Sequence, residues 1–197
     1  MPETALLVAI LAAGASRRLG TAKQLVRVHG QPLIRRQCRV ALAANIGSVV
    51  VVLGCQSDRC SSAICDLPVQ IRVNAGWLEG IASSLRCAVA AAIAHNAGGL
   101  LILPCDQFRI TSRDLRALVD RWHQSGGAAC VSRFDGQTGP PVIVPAAYYG
   151  EVQRLHGDAG ARAVLRDPRR VPPIEVDNPH AAFDLDRIDD LRTLGAA

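Results

Sequence analysis

Lysine is almost absent from this 197-residue chain: Lys23 is the only one among 22 lysine and arginine residues. Long apolar runs are absent as well. No stretch approaches the roughly 18 consecutive apolar residues that a membrane-spanning helix needs, which excludes a membrane partner. Met1 to Ala13 lacks the basic start and small-residue cleavage site of a secretory signal. These absences predict a cytoplasmic protein. The chain has seven cysteines, an odd count without an export signal, which argues against a disulfide framework. Cys55, Cys60 and Cys65 recur every five residues, but five helical steps turn about 500°, so the thiols drift apart rather than converging on a zinc ion. Aromatic residues make up only 4% of the chain, and its net charge of +5 comes from scattered arginines. That pattern speaks against nucleic acid as a partner and for small phosphorylated ligands. Neither G-x-G-x-x-G nor G-K-[ST] occurs near the first glycines, which removes the common dinucleotide and P-loop signatures. There is no internal repeat, low-complexity tract or linker, so residues 1–197 are expected to form a single domain.

What is present alternates. Ala5 to Leu11 is a short, branched apolar run followed by glycine, the pattern of a strand buried on both faces. Leu33 to Ala44 has helical spacing, Ser48 to Gly54 reads as a second buried strand, and Val69 to Val73 as a short third. Ile81 to Ala94 is an alanine-rich helix, and Leu100 to Asp106 a strand ending in an acid. Thr111 and Asp114 form a capping-box variant that opens a helix to about His123. Ala128 to Ser132 and Pro141 to Val144 are strand candidates, a helix follows over about Ala159 to Leu165, and Pro172-Pro173 leads into a last strand. Such alternation predicts an α/β fold, a mainly parallel sheet covered on both faces, with ligands beyond the carboxyl ends of its strands.

On that rim two segments carry chemistry. LAAGASRRLGTAKQL, Leu11 to Leu25, combines glycines with Arg18 and Lys23. Glycine lets backbone amides face a ligand, and the two cations suit a polyphosphate. The plainer alternative is that Gly14 caps a turn and Arg17 and Arg18 are solvated. LPCDQ, Leu103 to Gln107, sets the Asp106 carboxylate just past a strand. Beside a triphosphate it is a natural magnesium ligand, because that ion takes one or two protein carboxylates plus phosphate oxygens. Otherwise Asp106 caps the next helix. FDLDRIDDL, Phe183 to Leu191, alternates like a strand, which points Asp184 and Asp186 the same way and offers a second metal ligand; Asp189 and Asp190 are equally well surface decoration. Cys105 has no histidine placed to activate it and reads as packing. His29, His95 and His123 read as surface residues.

LAAGASRRLGTAK resembles the L-A-A-G-x-S-x-R-x-G-x-x-K signature of the molybdenum cofactor nucleotidyltransferases at every fixed position. GQPLI, NAGWLEGIASSL, LPCDQ, TGPPVIV, HGDAGAR and FDLDRIDDL follow in the family's order and span nearly the whole chain. LAAG and PCDQ resemble the cytidylyltransferase branch, whose guanylyl-transferring relatives carry L-A-G-G. Phe108 and Arg187-Ile188 depart from the family pattern without removing a charged group. The resemblance implies a Rossmann-like three-layer nucleotidyltransferase that moves CMP from CTP to the terminal phosphate of molybdopterin or molybdenum cofactor and releases pyrophosphate. It implies Lys23 on the α-phosphate, Arg18 on the β and γ groups, and magnesium on Asp106 with Asp184 or Asp186. It further implies nucleotide contacts from Leu11, Ala12, Ala13, Gly14, Ser16, Gly80, Ser83 and Ser84, with Asn74 and Trp77 in the pocket wall. Ser83 and Ser84 alternatively only start a helix. Asp158 and Arg162 fall to the acceptor, or else form a helical ion pair four residues apart. Rival expectations are another triphosphate or phosphorylated acceptor, including GTP, sugar and isoprenoid phosphates; a non-catalytic chaperone that hands cofactor to a molybdoenzyme; and an NAD-binding dehydrogenase, made improbable by the missing fingerprint.

Overall fold

The structure is a computed structural model that describes residues 5–16, 20–167, 170–185 and 190. Among these, seven strands form one sheet: β1 (Leu6–Ala12), β4 (Ser48–Leu53), β5 (Gln70–Val73), β6 (Gly99–Pro104), β7 (Cys130–Phe134), β8 (Gln137–Pro145) and β9 (Ile174–Asp177), in the order β5-β4-β1-β6-β8-β7-β9. A two-stranded ribbon, β2 (Arg27–Val28) with β3 (Gln31–Pro32), lies outside it. The helices are α1 (Leu33–Ala44), α2 (Ser57–Ser62), α3 (Ile81–Ala94), α4 (Ser112–Gln124), α5 (Tyr149–Val152) and α6 (Arg162–Leu165).

The alternation of β1 explains the layers. Leu6, Val8, Ile10 and Ala12 face one core, which is closed by Leu33, Ile34 and Cys38 of α1 and by Leu115, Leu118 and Trp122 of α4. Leu7 and Ala9 face the other, closed by Leu85, Ala88 and Val89 of α3 and by Val152 of α5. Burial on both faces is why these strands read as continuous apolar runs, and each buried branched side chain contributes about 1.5–3 kcal/mol. This is the expected three-layer arrangement. The expected capping box also forms: Thr111 Oγ1 accepts from Asp114 N at 3.3 Å, and Asp114 Oδ2 accepts from Thr111 N at 2.8 Å.

Three expectations need correction. The strand candidates at Ala128 and Pro141 are the arms of one hairpin, β7–β8, joined by Asp135 and Gly136 at φ of 47° and 71°. A two-residue turn with both residues left-handed matches sheet twist, and it makes β8 antiparallel to both its neighbours in an otherwise parallel sheet. The helix expected from Ala159 shortens to Arg162–Leu165, where Gly157 just before it turns at a φ of 60° and is tied to the start of α3 through Ala82 N and to Glu79 Oε1. Phe183 to Leu185 is irregular rather than a strand, since Pro179–Ala182 forms a 3-10 turn that takes the chain off the sheet. The argument for Asp184 and Asp186 on one face therefore fails; Asp186 itself, like Arg17, Arg18 and Asp189, lies outside the described residues. No helix among the described residues is long and apolar enough to cross a membrane.

Candidate active site

The chain leaves β1 toward β4 on one side, while β6 pairs on the other, so the strand order reverses between β1 and β6. Loops diverge at such a reversal and leave a crevice at the carboxyl ends of the strands. Leu11 pairs with Pro104 there, and Cys105 N continues the ladder to Leu11 O at 3.0 Å. One residue further on, Asp106 emerges onto the rim. Lys23 reaches the same point from the other loop, and its Nζ forms an ion pair with Asp106 Oδ2. Both side chains are about four-fifths buried, with exposures of 20% and 19%.

The loop that delivers Lys23 is fixed by a residue that sequence reasoning passed over. Gln24 is buried, and its Nε2 donates to Ala12 O at 3.0 Å and Gly14 O at 2.7 Å. Ser16, at a φ of 54°, accepts from Lys23 N at 3.1 Å through Oγ. Cys55 N donates to Ala13 O at 3.0 Å. The carbonyls of Leu11, Ala12, Ala13 and Gly14 are thus all turned inward and engaged. The segment Leu11–Ala15 itself lines the crevice. Gly54 permits the close approach beneath it, since a Cβ there would fall 2.7 Å from Ala13 O and 2.6 Å from Trp77 Cβ.

The far wall is built on Asn74. Its amide Nδ2 donates to Ser83 Oγ at 2.8 Å and Ser84 Oγ at 3.1 Å, while its Oδ1 accepts from Gly76 N at 3.0 Å. Ser83 Oγ donates in turn to Gly80 O at 2.8 Å. Neither serine caps α3, whose N-cap is Gly80, although both lie in its first turn. Gly80 adopts a φ of 124°, and a Cβ on it would lie 2.4 Å from Gly157 O and 2.6 Å from Asp158 Oδ1. The HGDAG loop is therefore seated directly on the start of α3. Glu79 ties the same loop down: it accepts from both Arg86 guanidinium nitrogens at 2.8 Å and 2.5 Å and from Gly157 N at 3.3 Å. The hydrogen bonds from Arg86 hold the Glu79 carboxyl down at about 2.

These walls enclose a cavity of about 460 Å³ lined by the Leu11–Ala15 segment, Lys23, Trp77, Ser84, Asp106 and Asp158, among others. A second cavity of about 370 Å³ shares Leu11, Ile81 and Pro104 with it and is more apolar, walled by Leu85, Val131, Phe134 and Val142. Arg162, Arg166 and Asp184 stand at its edge. Arg162 donates to Thr138 O at 3.0 Å and Arg166 to Thr138 Oγ1 at 2.9 Å. Asp158 and Arg162 thus line different cavities, and the ion pair between them is not formed.

The Asp106 turn is braced by Gln107, again unassigned from sequence. It is buried, donates to Pro140 O at 2.9 Å and Ala181 O at 3.0 Å, and its own carbonyl accepts from Gln37 Nε2 at 2.6 Å. Leu185 N donates to Asp106 O at 3.0 Å, which brings the Asp184 segment against Asp106. Arg109 stacks 3.7 Å over the Phe183 ring on the same segment. No group of three metal-binding side chains occurs among the described residues. The hard carboxylate oxygen of Asp106 fits an ion that takes one or two protein carboxylates and completes its shell with phosphate and water, while Asp184 lines the second cavity rather than the first. Cys105 is buried, and burial pushes its thiol well above the ordinary value, in keeping with its reading as packing. Cys60 is buried on α2 while Cys65 is exposed, so the five-residue cysteine repeat shares no face.

Fold and crevice define a nucleotidyltransferase of Rossmann-like α/β architecture. Residues 8–172 match the family described as the MobA-like NTP transferase domain. The chain belongs to that family, and the resemblance to molybdenum cofactor nucleotidyltransferases is borne out. It is 34% identical over 148 residues to a probable molybdenum cofactor guanylyltransferase of Opitutus terrae, covering 72% of this chain and 67% of that one. It is 28% identical over 170 residues to the purine catabolism protein PucB of Bacillus subtilis, covering 82% and 80%. Among solved structures it resembles Rv0371c of Mycobacterium tuberculosis, with a TM-score of 0.81, 29% identity and coverage of 98% and 99%. A complex of Rv0371c with manganese superposes with a TM-score of 0.75 at 26% identity, covering 97% and 98%.

Proposed function

We propose that this enzyme transfers CMP from CTP to the terminal phosphate of molybdopterin or molybdenum cofactor and releases pyrophosphate. The observation that carries the reading is the meeting of Lys23 and Asp106 at a cavity edged by the Leu11–Ala15 segment. In this reading the 460 Å³ cavity takes the nucleotide and the 370 Å³ cavity the acceptor. An acceptor phosphate oxygen forms a bond to the α-phosphorus while the bond to pyrophosphate breaks on the opposite side. Little covalent help is needed, so the residues act by position and charge. Lys23 neutralises the α-phosphate, and Arg18 the departing β and γ groups. Asp106, with Asp184 or Asp186, would hold magnesium, which supplies charge neutralisation at the phosphate oxygens; manganese bound to Rv0371c favours a divalent ion. Arg162 receives the acceptor's phosphate, and the apolar walls receive its ring system. Asp158, on the nucleotide side of Gly80, orients the junction between the two.

The loop also supports the choice of base. The carbonyls of Ala12, Ala13 and Gly14 are engaged within the protein, and in this reading the amides of Ala13 and Gly14 read an edge rich in acceptors. Cytosine offers two acceptors, N3 and O2, beside one donor. Guanine offers O6 beside two donors. Ser84 and the Gly80 segment complete the pocket. GTP is the second reading, favoured by the guanylyltransferase name of the Opitutus terrae relative. The purified protein with magnesium and molybdopterin is expected to release pyrophosphate from CTP faster than from GTP or ATP, and Asp106→Asn to slow it about 10²- to 10³-fold. Faster release with GTP reverses the base choice. Binding without pyrophosphate from any triphosphate, with any phosphorylated acceptor, replaces the enzyme by a carrier of cofactor to a molybdoenzyme.

A further inference from the structure

We propose that Asn74 holds the Ser84 hydroxyl as a one-way donor into the nucleotide cavity, so that this wall selects a base by demanding a hydrogen-bond acceptor on its edge. The inference rests on the reading of the 460 Å³ cavity as the nucleotide's, and deepens it. Asn74 is buried just past β5, and its backbone N donates to Leu53 O at 2.7 Å. One contact fixes the orientation of its side-chain amide. Gly76 N lies 3.0 Å from one terminal atom of that amide, and because an N–H only donates, that atom is the oxygen. The amide nitrogen therefore faces the two serines, and both hydroxyl oxygens accept from it, Ser83 at 2.8 Å and Ser84 at 3.1 Å.

A hydroxyl has one proton and two lone pairs. Ser83 gives its proton to Gly80 O at 2.8 Å, and it is Ser84, not Ser83, that lines the cavity. Ser84 is buried, and among the described residues no acceptor takes its proton. With Asn74 holding the oxygen from behind, that proton is directed to a ligand. Gly80 O adds no acceptor to this wall, since it already receives Ser83 N at 3.3 Å as well as Ser83 Oγ. Cytosine carries an unprotonated N3 on its pairing edge, whereas uracil, of nearly the same shape, carries N3–H. The second base sets two protons against each other in a buried place, at a cost of about ten- to a hundredfold in affinity. Ser84 touches the base in this account, and Asn74 acts through it as a positioning residue.

The test is isothermal titration of the full-length protein with CTP and with UTP, magnesium present. The wild type is expected to bind CTP about ten- to a hundredfold more tightly than UTP. Ser84→Ala is expected to level the two, mainly by weakening CTP. In Asn74→Asp the carboxylate accepts from Ser84 as well as from Gly76 N, which turns a Ser84 lone pair to the cavity and is expected to reverse the order in favour of UTP. A merely structural role for Asn74 would weaken both nucleotides alike. That result overturns the proposal, as does a wild type that binds CTP and UTP equally or a Ser84→Ala variant that keeps the wild-type ratio. Ser84→Ala leaves the bonds of Asn74 to Ser83 and Gly76 in place, and so decides the matter if Asn74→Asp unfolds. If GTP outbinds both pyrimidines, it is the choice of CTP that fails. The same donor then faces guanine O6, where adenine has an amine, and the GTP-to-ATP affinity ratio is expected to fall in both variants; an unchanged ratio overturns the one-way donor as well.

Discussion

Gln24→Leu isolates the staple that holds the glycine loop. The substitution keeps roughly the same volume but removes both amide donations, to Ala12 O and Gly14 O. Ala12 is buried with 2% exposure, so its carbonyl is left facing a site water cannot reach. Gly14 is exposed, and its carbonyl can turn to solvent. Only one of the two lost bonds therefore carries a full desolvation penalty, about 1–3 kcal/mol, and the expected cost is about 2 kcal/mol. For a domain of this size each kcal/mol lowers Tm by roughly 2–4 °C, so the variant should melt about 4–8 °C lower. The loop amides lose their alignment as well, and the KM for CTP should rise several-fold with a smaller effect on kcat. Differential scanning calorimetry and a pyrophosphate-release assay measure the two effects on one preparation. A Tm equal to the wild type refutes the staple; a lowered Tm with an unchanged KM refutes its link to the nucleotide.

Gly80→Ala combines a φ of 124° with a methyl 2.4 Å from Gly157 O, and is expected to destabilise by more than about 2 kcal/mol in urea unfolding. Gly14→Ala meets nothing within 4 Å; it should leave the urea midpoint unchanged and raise the KM for CTP, because the methyl enters the cavity. Glu79 is held at about 2 against an ordinary value of 4.5. Its pairing with Arg86 therefore stabilises the fold above pH 4.5 and is lost as pH falls from there toward 2. Glu79→Gln should flatten the acid limb of a Tm-versus-pH profile in that window; an unaltered acid limb contradicts the assignment.

Most of the scaffold was legible because its signals repeat. Period-two burial in β1 and period-3.6 burial in α1 and α4 are written into neighbouring residues, and Thr111 and Asp114 lie three apart in sequence as in space. The hairpin was overlooked for a different reason. Asp135-Gly136 is a strong turn signal, but it lies inside a stretch whose flanking strands are short and interrupted by Pro140 and Pro141. At the crevice, Lys23 and Asp106 stood out through rarity and position. Gln24, Asn74 and Gln107 did not, since each works by donating to carbonyls or hydroxyls whose location only the fold decides. Gln107 reaches 33 residues forward to Pro140 and 74 forward to Ala181, and no periodicity in sequence encodes such a pair.

That difference has a consequence for how the crevice behaves. Asp106 lies two residues after Pro104, which pairs with Leu11 in the adjacent strand, and the turn that carries Lys23 is tied to the end of that strand by the Gln24 bonds to Ala12 O and Gly14 O. The sheet cannot stretch without breaking its ladder, and Gln24 and Gln107 lock the two turns onto it. The Asp184 segment is joined differently, through Leu185 N to Asp106 O, the Gln107 bond to Ala181 O and the Arg109–Phe183 stack. Those contacts lie beyond the sheet, and Phe183 is 37% exposed. The Lys23–Asp106 pair is therefore carried by turns locked onto the sheet, and the acidic segment with Asp184 by contacts outside it.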